Sequence, residues 1–93
     1  MSDELRLLIE RAVMALKSAG AREVYLFGSA ARGRMREDSD VDMAVSGLPP
    51  ELFYRAGGQA EDALGRPLDL IDLDEITPFT QYLKEEGELQ RVG

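Results

Sequence analysis

The chain has 93 residues, a length that suits one small domain with a modest core. Its formal charge of −7 disfavours tight binding to nucleic acid, because that affinity comes mainly from lysine and arginine neutralising phosphates. The chain has neither cysteine nor histidine, which excludes disulfides and thiolate or imidazole zinc sites and leaves oxygen ligands for any metal.

The apolar fraction of 44%, with 31% charged residues, is that of a folded domain rather than a disordered chain. We expect a single domain over residues 1–93. The sequence shows no charged and apolar leader and no run long enough to span a bilayer, which predicts a cytoplasmic protein that does not bind membranes.

The first quarter of the chain predicts a helix and then a strand. Apolar residues recur at helical spacing after Ser2, a favourable N-cap, and Gly20 is a natural stop. Residues 24–27 predict a short buried strand. The small residues that follow, 29–31, suit a tight turn into a brief helix.

The remainder of the chain alternates strands and helices after a polar, turn-like stretch at 34–39. The predicted elements are a strand at 41–45, a helix at about 50–64, a strand at 68–73 and a last helix from 78 to about 86. Thr77 and Pro78 suit the N-cap and first position of that last helix. The tail, 88–93, either frays or adds an edge strand. The fold class is therefore mixed α/β, a small sheet flanked by helices.

The turn after the first strand carries Gly28 and Ser29. A glycine at the end of a strand, followed by small residues that open a helix, presents backbone N–H groups and a hydroxyl to a phosphate without side-chain bulk. An isolated Gly-Ser pair is more often a simple tight turn. The stretch is not a Walker A loop, because the Gly-Lys-Ser/Thr ending is missing.

Three aspartates stand where strands disfavour them. Asp40 and Asp42 alternate at the start of the second strand and so share one side of it, although a solvated strand start would explain such a pair alone. Asp69 lies in an otherwise apolar strand, where a carboxylate is costly unless it is paired or binds a cation. If the two strands are neighbours, all three carboxylates can form a magnesium site. Asp72 and Asp74 are weaker candidates, since a solvated or capping role suffices at a strand end.

These parts together match the needs of phosphoryl or nucleotidyl transfer, and the chain resembles the minimal nucleotidyltransferases of the DNA polymerase beta-like superfamily. The hallmark of that family is Gly-Ser, ten residues, then Asp-x-Asp. Here the matching segments are Gly28–Ser29 and Asp40–Asp42, with 30–39 between them. The later stretch RPLDLIDL resembles the strand that supplies the third carboxylate, at Asp69.

The resemblance implies a role for each acidic residue. Asp40 and Asp42 would bind two Mg²⁺ ions, and Asp69 would bind the catalytic ion and help to deprotonate the attacking hydroxyl. All three are therefore the expected catalytic and metal-binding residues.

The resemblance also implies nucleotide-binding residues. Gly28 and Ser29 would hold the β- and γ-phosphates of ATP, and Ser39 belongs to the same motif. Arg32 would steady the triphosphate, with a surface salt bridge as the alternative role.

By the same resemblance, the chain would transfer AMP from ATP to a tyrosine hydroxyl of a HEPN-domain toxin, as the antitoxin of a type VII-like pair. A non-catalytic antitoxin that neutralises the toxin by occlusion is the alternative. Transfer to a small molecule such as an aminoglycoside would need a second domain for that acceptor, and we expect none in a chain of this length.

Overall fold

The computed structural model describes residues 2–34 and 39–93. Most of the turn predicted at 34–39 therefore lies outside the described residues. The first helix, α1, spans Asp3–Ser18, and the Ser2 hydroxyl accepts a hydrogen bond from the Leu5 N–H at 3.1 Å. This side-chain cap confirms the predicted helix start.

Over residues 2–34 and 39–93, four strands form one sheet in the order β3-β2-β1-β4. Strand β1 spans Glu23–Leu26, β2 spans Val41–Ser46, β3 spans Leu68–Asp72 and β4 spans Gln90–Arg91. Strand β1 pairs antiparallel with both β2 and β4, whereas β2 and β3 are parallel. The tail thus forms an edge strand, one of the two outcomes left open by its sequence.

The remaining helices connect these strands. Helix α2 spans Gly28–Ala31, α3 spans Phe53–Leu64 and α4 spans Pro78–Glu85. The helix predicted from residue 50 begins instead as a 3₁₀ turn, Pro50–Leu52, and becomes α-helical at Phe53. No helix in the described part of the chain is both long and apolar enough to cross a membrane.

The main core lies between one face of the sheet and the helices α1 and α3, which pack against each other. Helix α3 also lies close to β3: a Cβ added to Gly57 would stand 3.4 Å from Cδ2 of Leu70. A glycine here permits that approach. A second, smaller cluster lies on the opposite face of the sheet, where α4 contributes Leu83 against Phe27, Ala44 and Leu73. That second face is the one that carries the candidate site.

Candidate active site

The alternation of β2 decides which way Asp42 points. Val41, Met43 and Val45 are fully buried in the main core beneath α1 and α3. Successive side chains of a strand point to opposite faces, so Asp42 and Ala44 point to the α4 side of the sheet. Asp42 is half-buried on that side of the sheet.

Asp42 and Asp69 are direct partners in the parallel register of β2 and β3. Aligned residues on adjacent strands share a face, and neighbouring strands lie about 4.8 Å apart. Two main effects raise the pKa of Asp42 above its usual value. The larger is its partial burial, and the second is the negative charge of Asp69. The two strands are neighbours, which is the condition that a shared carboxylate site requires, and their register places two carboxylates side by side.

Asp40 directly precedes β2 and is exposed to solvent. Its charge also contributes to the raised pKa of Asp42, so it lies within electrostatic reach of that carboxylate. Among the residues that the structure describes, no three acidic side chains are grouped closely enough to hold a metal ion by themselves. A metal site formed by all three aspartates therefore stays a prediction. The fold itself aligns two of them, Asp42 and Asp69.

The turn at Gly28 is built against Asp42. The Phe27 N–H donates to the Asp42 carbonyl oxygen at 3.0 Å, which joins the end of β1 to the start of β2. Gly28 has φ +62°, and a Cβ added to it would lie 2.5 Å from Oδ2 of Asp42. Only a residue without a side chain fits both the backbone conformation and this approach.

The brief helix predicted after this turn is α2, and it begins at Gly28 itself. The first hydrogen bond of this helix runs from the Ala31 N–H to the Phe27 carbonyl. The N–H groups of Gly28 and Ser29 come earlier in the chain and therefore have no acceptor within the helix. These donors lie beside a pair of carboxylates. The arrangement can place an anionic group next to bound cations, which is the requirement of a nucleotide triphosphate site.

Arg32 follows α2 and forms a salt bridge with Glu88, with Nη2 and Oε2 3.1 Å apart. The salt bridge expected as its alternative role is therefore present, and contact with a triphosphate stays a prediction. Ser39 is half-buried, and its role in nucleotide binding likewise stays a prediction.

The two weaker candidates, Asp72 and Asp74, have structural roles. The Asp72 carboxylate accepts from the Asp74 N–H at 2.9 Å, and the Asp74 carboxylate accepts from the Gly47 N–H at 2.7 Å. These bonds shape the turn after β3, near the ends of β2 and β3 that are distant from Asp42 and Asp69.

One feature near Gly28 was not predicted. A cleft of about 230 Å³ is bordered by Gly28, Arg32 and the half-exposed rings of Phe79 and Tyr82. The two rings are three residues apart on α4 and so share a face of that helix. This spacing was visible in the sequence, but nothing in it indicated that the face is uncovered and adjoins the Gly28 turn. Flat, half-exposed aromatic rings are surfaces on which other rings can stack.

Comparison with known proteins assigns this geometry to a family. The profile of the polymerase beta nucleotidyltransferase family matches residues 13–89, which include the Gly28 turn and all three aspartates. The chain belongs to this family. The carboxylate pair and the glycine turn are thus the candidate active site of a nucleotidyltransferase domain, and the predicted family is confirmed.

Three solved structures show how widely this nucleotidyltransferase fold is shared. One, described as a minimal nucleotidyltransferase, is 26% identical, with a TM-score of 0.75 over 98% of this chain and 93% of that one. A toxin–antitoxin complex with AMP-PNP contains a chain that is 22% identical, with a TM-score of 0.71 over 88% and 69%. A complex of a tri-AMPylated Shewanella oneidensis HEPN toxin with an MNT antitoxin gives 20% identity and a TM-score of 0.66 over 94% and 70%. No curated protein sequence matches the chain.

Proposed function

We propose that the chain transfers AMP from ATP to a tyrosine hydroxyl of a HEPN-domain toxin and thereby acts as the antitoxin of a type VII-like pair. The observation that carries this proposal is the alignment of Asp42 with Asp69 beside Gly28, in a chain of the polymerase beta nucleotidyltransferase family. A structural role would not need a half-buried carboxylate, Asp42, beside the exposed carboxylate of Asp69, because their repulsion costs stability.

The donor chemistry of the site fits magnesium. Asp42 and Asp69 offer oxygen ligands only, and a divalent cation would relieve their mutual repulsion. Magnesium in phosphoryl-transfer sites is typically bound through one or two carboxylates plus substrate phosphate oxygens, so an aligned pair with Asp40 nearby is a sufficient protein contribution. When bound, the ions would neutralise phosphate charge and hold the triphosphate in place for in-line displacement.

The protein groups have separate tasks in the proposed reaction. The N–H groups of Gly28 and Ser29 bind the β- and γ-phosphates, and Ser39 and Arg32 support them. The acceptor oxygen forms a bond to the α-phosphorus as the bond to the β-phosphate oxygen breaks, and pyrophosphate leaves with that electron pair. The Asp69 carboxylate accepts the hydroxyl proton.

Two observations support a protein partner. Similar folds occur in a toxin–antitoxin complex with AMP-PNP and in a complex with a tri-AMPylated HEPN toxin. The charge of −7 favours a basic protein over nucleic acid. A toxin and an antitoxin that use ATP would meet in the cytoplasm.

The test is transfer of label to a co-purified HEPN-domain protein. With Mg²⁺ and ATP labelled at the α-phosphate, we expect the label to reach that protein, whereas label at the γ-phosphate should not. Asp42→Asn should abolish the transfer. Asp62→Asn, which changes an exposed aspartate of α3, should leave it intact. If Asp42→Asn still protects cells from the toxin and the native protein transfers no label, the chain is an antitoxin that acts by occlusion.

A further inference from the structure

Strand β3 is an outer strand whose free edge can be read from its backbone bonds. The Val41 N–H donates to the Pro67 carbonyl, and the Leu73 N–H donates to the Val45 carbonyl. In a parallel sheet, the N–H and C=O groups of one residue point to the same neighbouring strand, and those of the next residue point the other way. Because Pro67 and Leu73 bond to β2, the backbone groups of the odd-numbered residues of β3 face β2. Leu70 therefore turns its N–H and C=O to the outside of the sheet. The Leu68 N–H, two residues earlier, also points outward and donates to the Glu61 carboxylate at 2.9 Å.

Among the described residues, the middle of this edge at Leu70 is open, whereas Glu61 accepts from the Leu68 N–H at one end and the Asp72 carbonyl accepts from the Glu75 N–H at the other. Natural edges are shielded by charged side chains, above all lysine, by proline or by a bulge, or are kept very short. Strand β4, at the other edge, has two residues and carries Arg91. Strand β3 has five residues, Leu-Asp-Leu-Ile-Asp, in regular register with β2. Its only charges are acidic.

Two shallow clefts of about 390 and 300 Å³ flank this edge, and they share Phe53, Tyr54 and Leu70. We call them together the β3 groove. Its aromatic lining is well exposed, since Tyr54 is 88% and Phe79 46% accessible. Among the residues that the structure describes, every charged side chain that lines the groove is acidic: Glu61, Asp69, Asp72 and Glu75.

We propose that the β3 groove binds an extended, basic segment of a partner protein as a fifth strand of the sheet. Main-chain bonds to Leu70 would provide affinity, and alternate side chains of the segment would reach the groove. Lysine or arginine stems can lie on Tyr54 and Phe79 while their charged ends meet the four carboxylates. A second copy of this chain would bring the same acidic edge and be repelled, so charge selects a basic partner.

The groove also leads to the candidate active site, because Asp69 belongs to both. A bound segment would thus pass beside the carboxylate pair. The binding inference itself does not depend on AMP transfer, since it rests on the edge geometry and the charge of the groove. A negative labelling experiment would not contradict peptide binding at the β3 groove. A negative peptide-binding experiment would not contradict AMP transfer.

The direct test uses a fluorescent ten-residue peptide of alternating lysine and valine, with the whole protein. Fluorescence anisotropy should show saturable binding, and amide exchange at Leu70 should slow at least tenfold when the peptide saturates the protein. The same peptide with N-methylated backbone amides retains its charge and cannot add as a strand, so it should bind at least tenfold more weakly. A glutamate–valine peptide should not bind.

Charge-reversal variants locate the surface. Glu75→Lys, in the groove, should weaken binding at least fivefold, and Tyr54→Ala should also weaken it. Glu85→Lys makes the same change in charge in the last turn of α4, outside the groove, and should stay within twofold of the native protein.

Equal binding of the N-methylated peptide, equal weakening by both charge reversals, or unchanged exchange at Leu70 would each overturn the proposal. A concentration-dependent dimer that protects Leu70 would overturn it as well, since the occupant would then be a second copy.

Discussion

The position of the Asp42 carboxylate requires a glycine at residue 28. Gly28 has φ +62°, and the space that a side chain would fill there is occupied by Oδ2 of Asp42. The contact joins the proposed phosphate-binding turn to the proposed metal-binding pair.

Gly28→Ala should therefore damage the site more than the fold. We expect a loss of about 1 kcal/mol in the free energy of unfolding from the left-handed backbone, together with displacement of Asp42. A displacement of about 1 Å can reduce a transfer rate about 100-fold. Gly65→Ala is the matched control, because Gly65 has φ +73° and a Cβ there would have open space around it. Urea unfolding and AMP transfer should show similar losses of stability in the two variants but loss of activity only in the first.

Asp42→Asn should stabilise the protein at neutral pH without metal. The substitution removes the negative charge that repels the neighbouring carboxylate of Asp69. Because water screens this repulsion, the free energy of unfolding should rise by about 1 kcal/mol at most. That gain corresponds to about 4–8 °C in melting temperature for a domain of this size. Combining it with Asp69→Asn should add little, because both changes remove the same repulsion.

The same variant has a defined pH dependence. The folded-state pKa of Asp42 lies above its ordinary value of 3.8, so the native state takes up the proton first as pH falls. Partial burial and the repulsion from Asp69 destabilise the charged form of Asp42 in the native protein above that raised pKa, and both costs are relieved as pH falls towards 3.8. The difference in melting temperature between the variant and the native protein should shrink across this window. A difference that is constant or grows on acidification would contradict the assignment.

Much of this site could be predicted from residue types and spacing. The alternation of Asp42 with buried neighbours identified its face, and the apolar surroundings of Asp69 marked it as unusual. Their direct alignment could not be derived in the same way, because the offset between parallel strands is set by tertiary packing and the α3 crossover. The resemblance to a known family indicated only that Asp69 joins the other two carboxylates, and the structure supplies the alignment.

Other details depended on contacts that leave no periodic signal. Strand β4 has two residues and pairs through its backbone, so the tail sequence left fraying and pairing equally open. The 3₁₀ start at Pro50 was likewise hidden, since proline suits the first turn of either helix type. The partner of Arg32, Glu88, is 56 residues away along the chain.

Magnesium with a non-hydrolysable ATP analogue should raise the melting temperature of the native protein. At 100 times the dissociation constant the expected stabilisation is about 2.7 kcal/mol. Asp40→Ala should abolish the shift, because this exposed residue has no packing role but is a proposed ligand. Asp62→Ala is the control and should retain it. Equal shifts in the native protein and Asp40→Ala would remove Asp40 from the site.

Helix α4 should depend on the hydroxyl of Thr80. Thr80 is 3% exposed, and its hydroxyl donates to the Glu75 carbonyl oxygen at 2.6 Å and accepts from the Thr77 N–H at 3.0 Å. Thr80→Val leaves these two part-buried backbone groups without that partner, which should cost about 1 kcal/mol in urea unfolding. Thr80→Ser keeps the hydroxyl and should lose less. A larger loss in Thr80→Ser than in Thr80→Val would show that the methyl group, not the hydrogen bonds, holds the start of α4.

The salt bridge between Arg32 and Glu88 allows the two roles of Arg32 to be separated. Both side chains are partly exposed, so the pair should contribute less than about 1 kcal/mol to stability. Glu88→Gln removes the bridge but keeps the cation, whereas Arg32→Ala removes both. If Arg32 steadies the triphosphate, titration with the magnesium-bound ATP analogue should show weaker binding in Arg32→Ala and equal or tighter binding in Glu88→Gln, whose guanidinium is released for phosphate. Equal affinities in the native protein and both variants would leave Arg32 with the salt bridge as its role, and the triphosphate would then depend on the Gly28 turn and the metal ions.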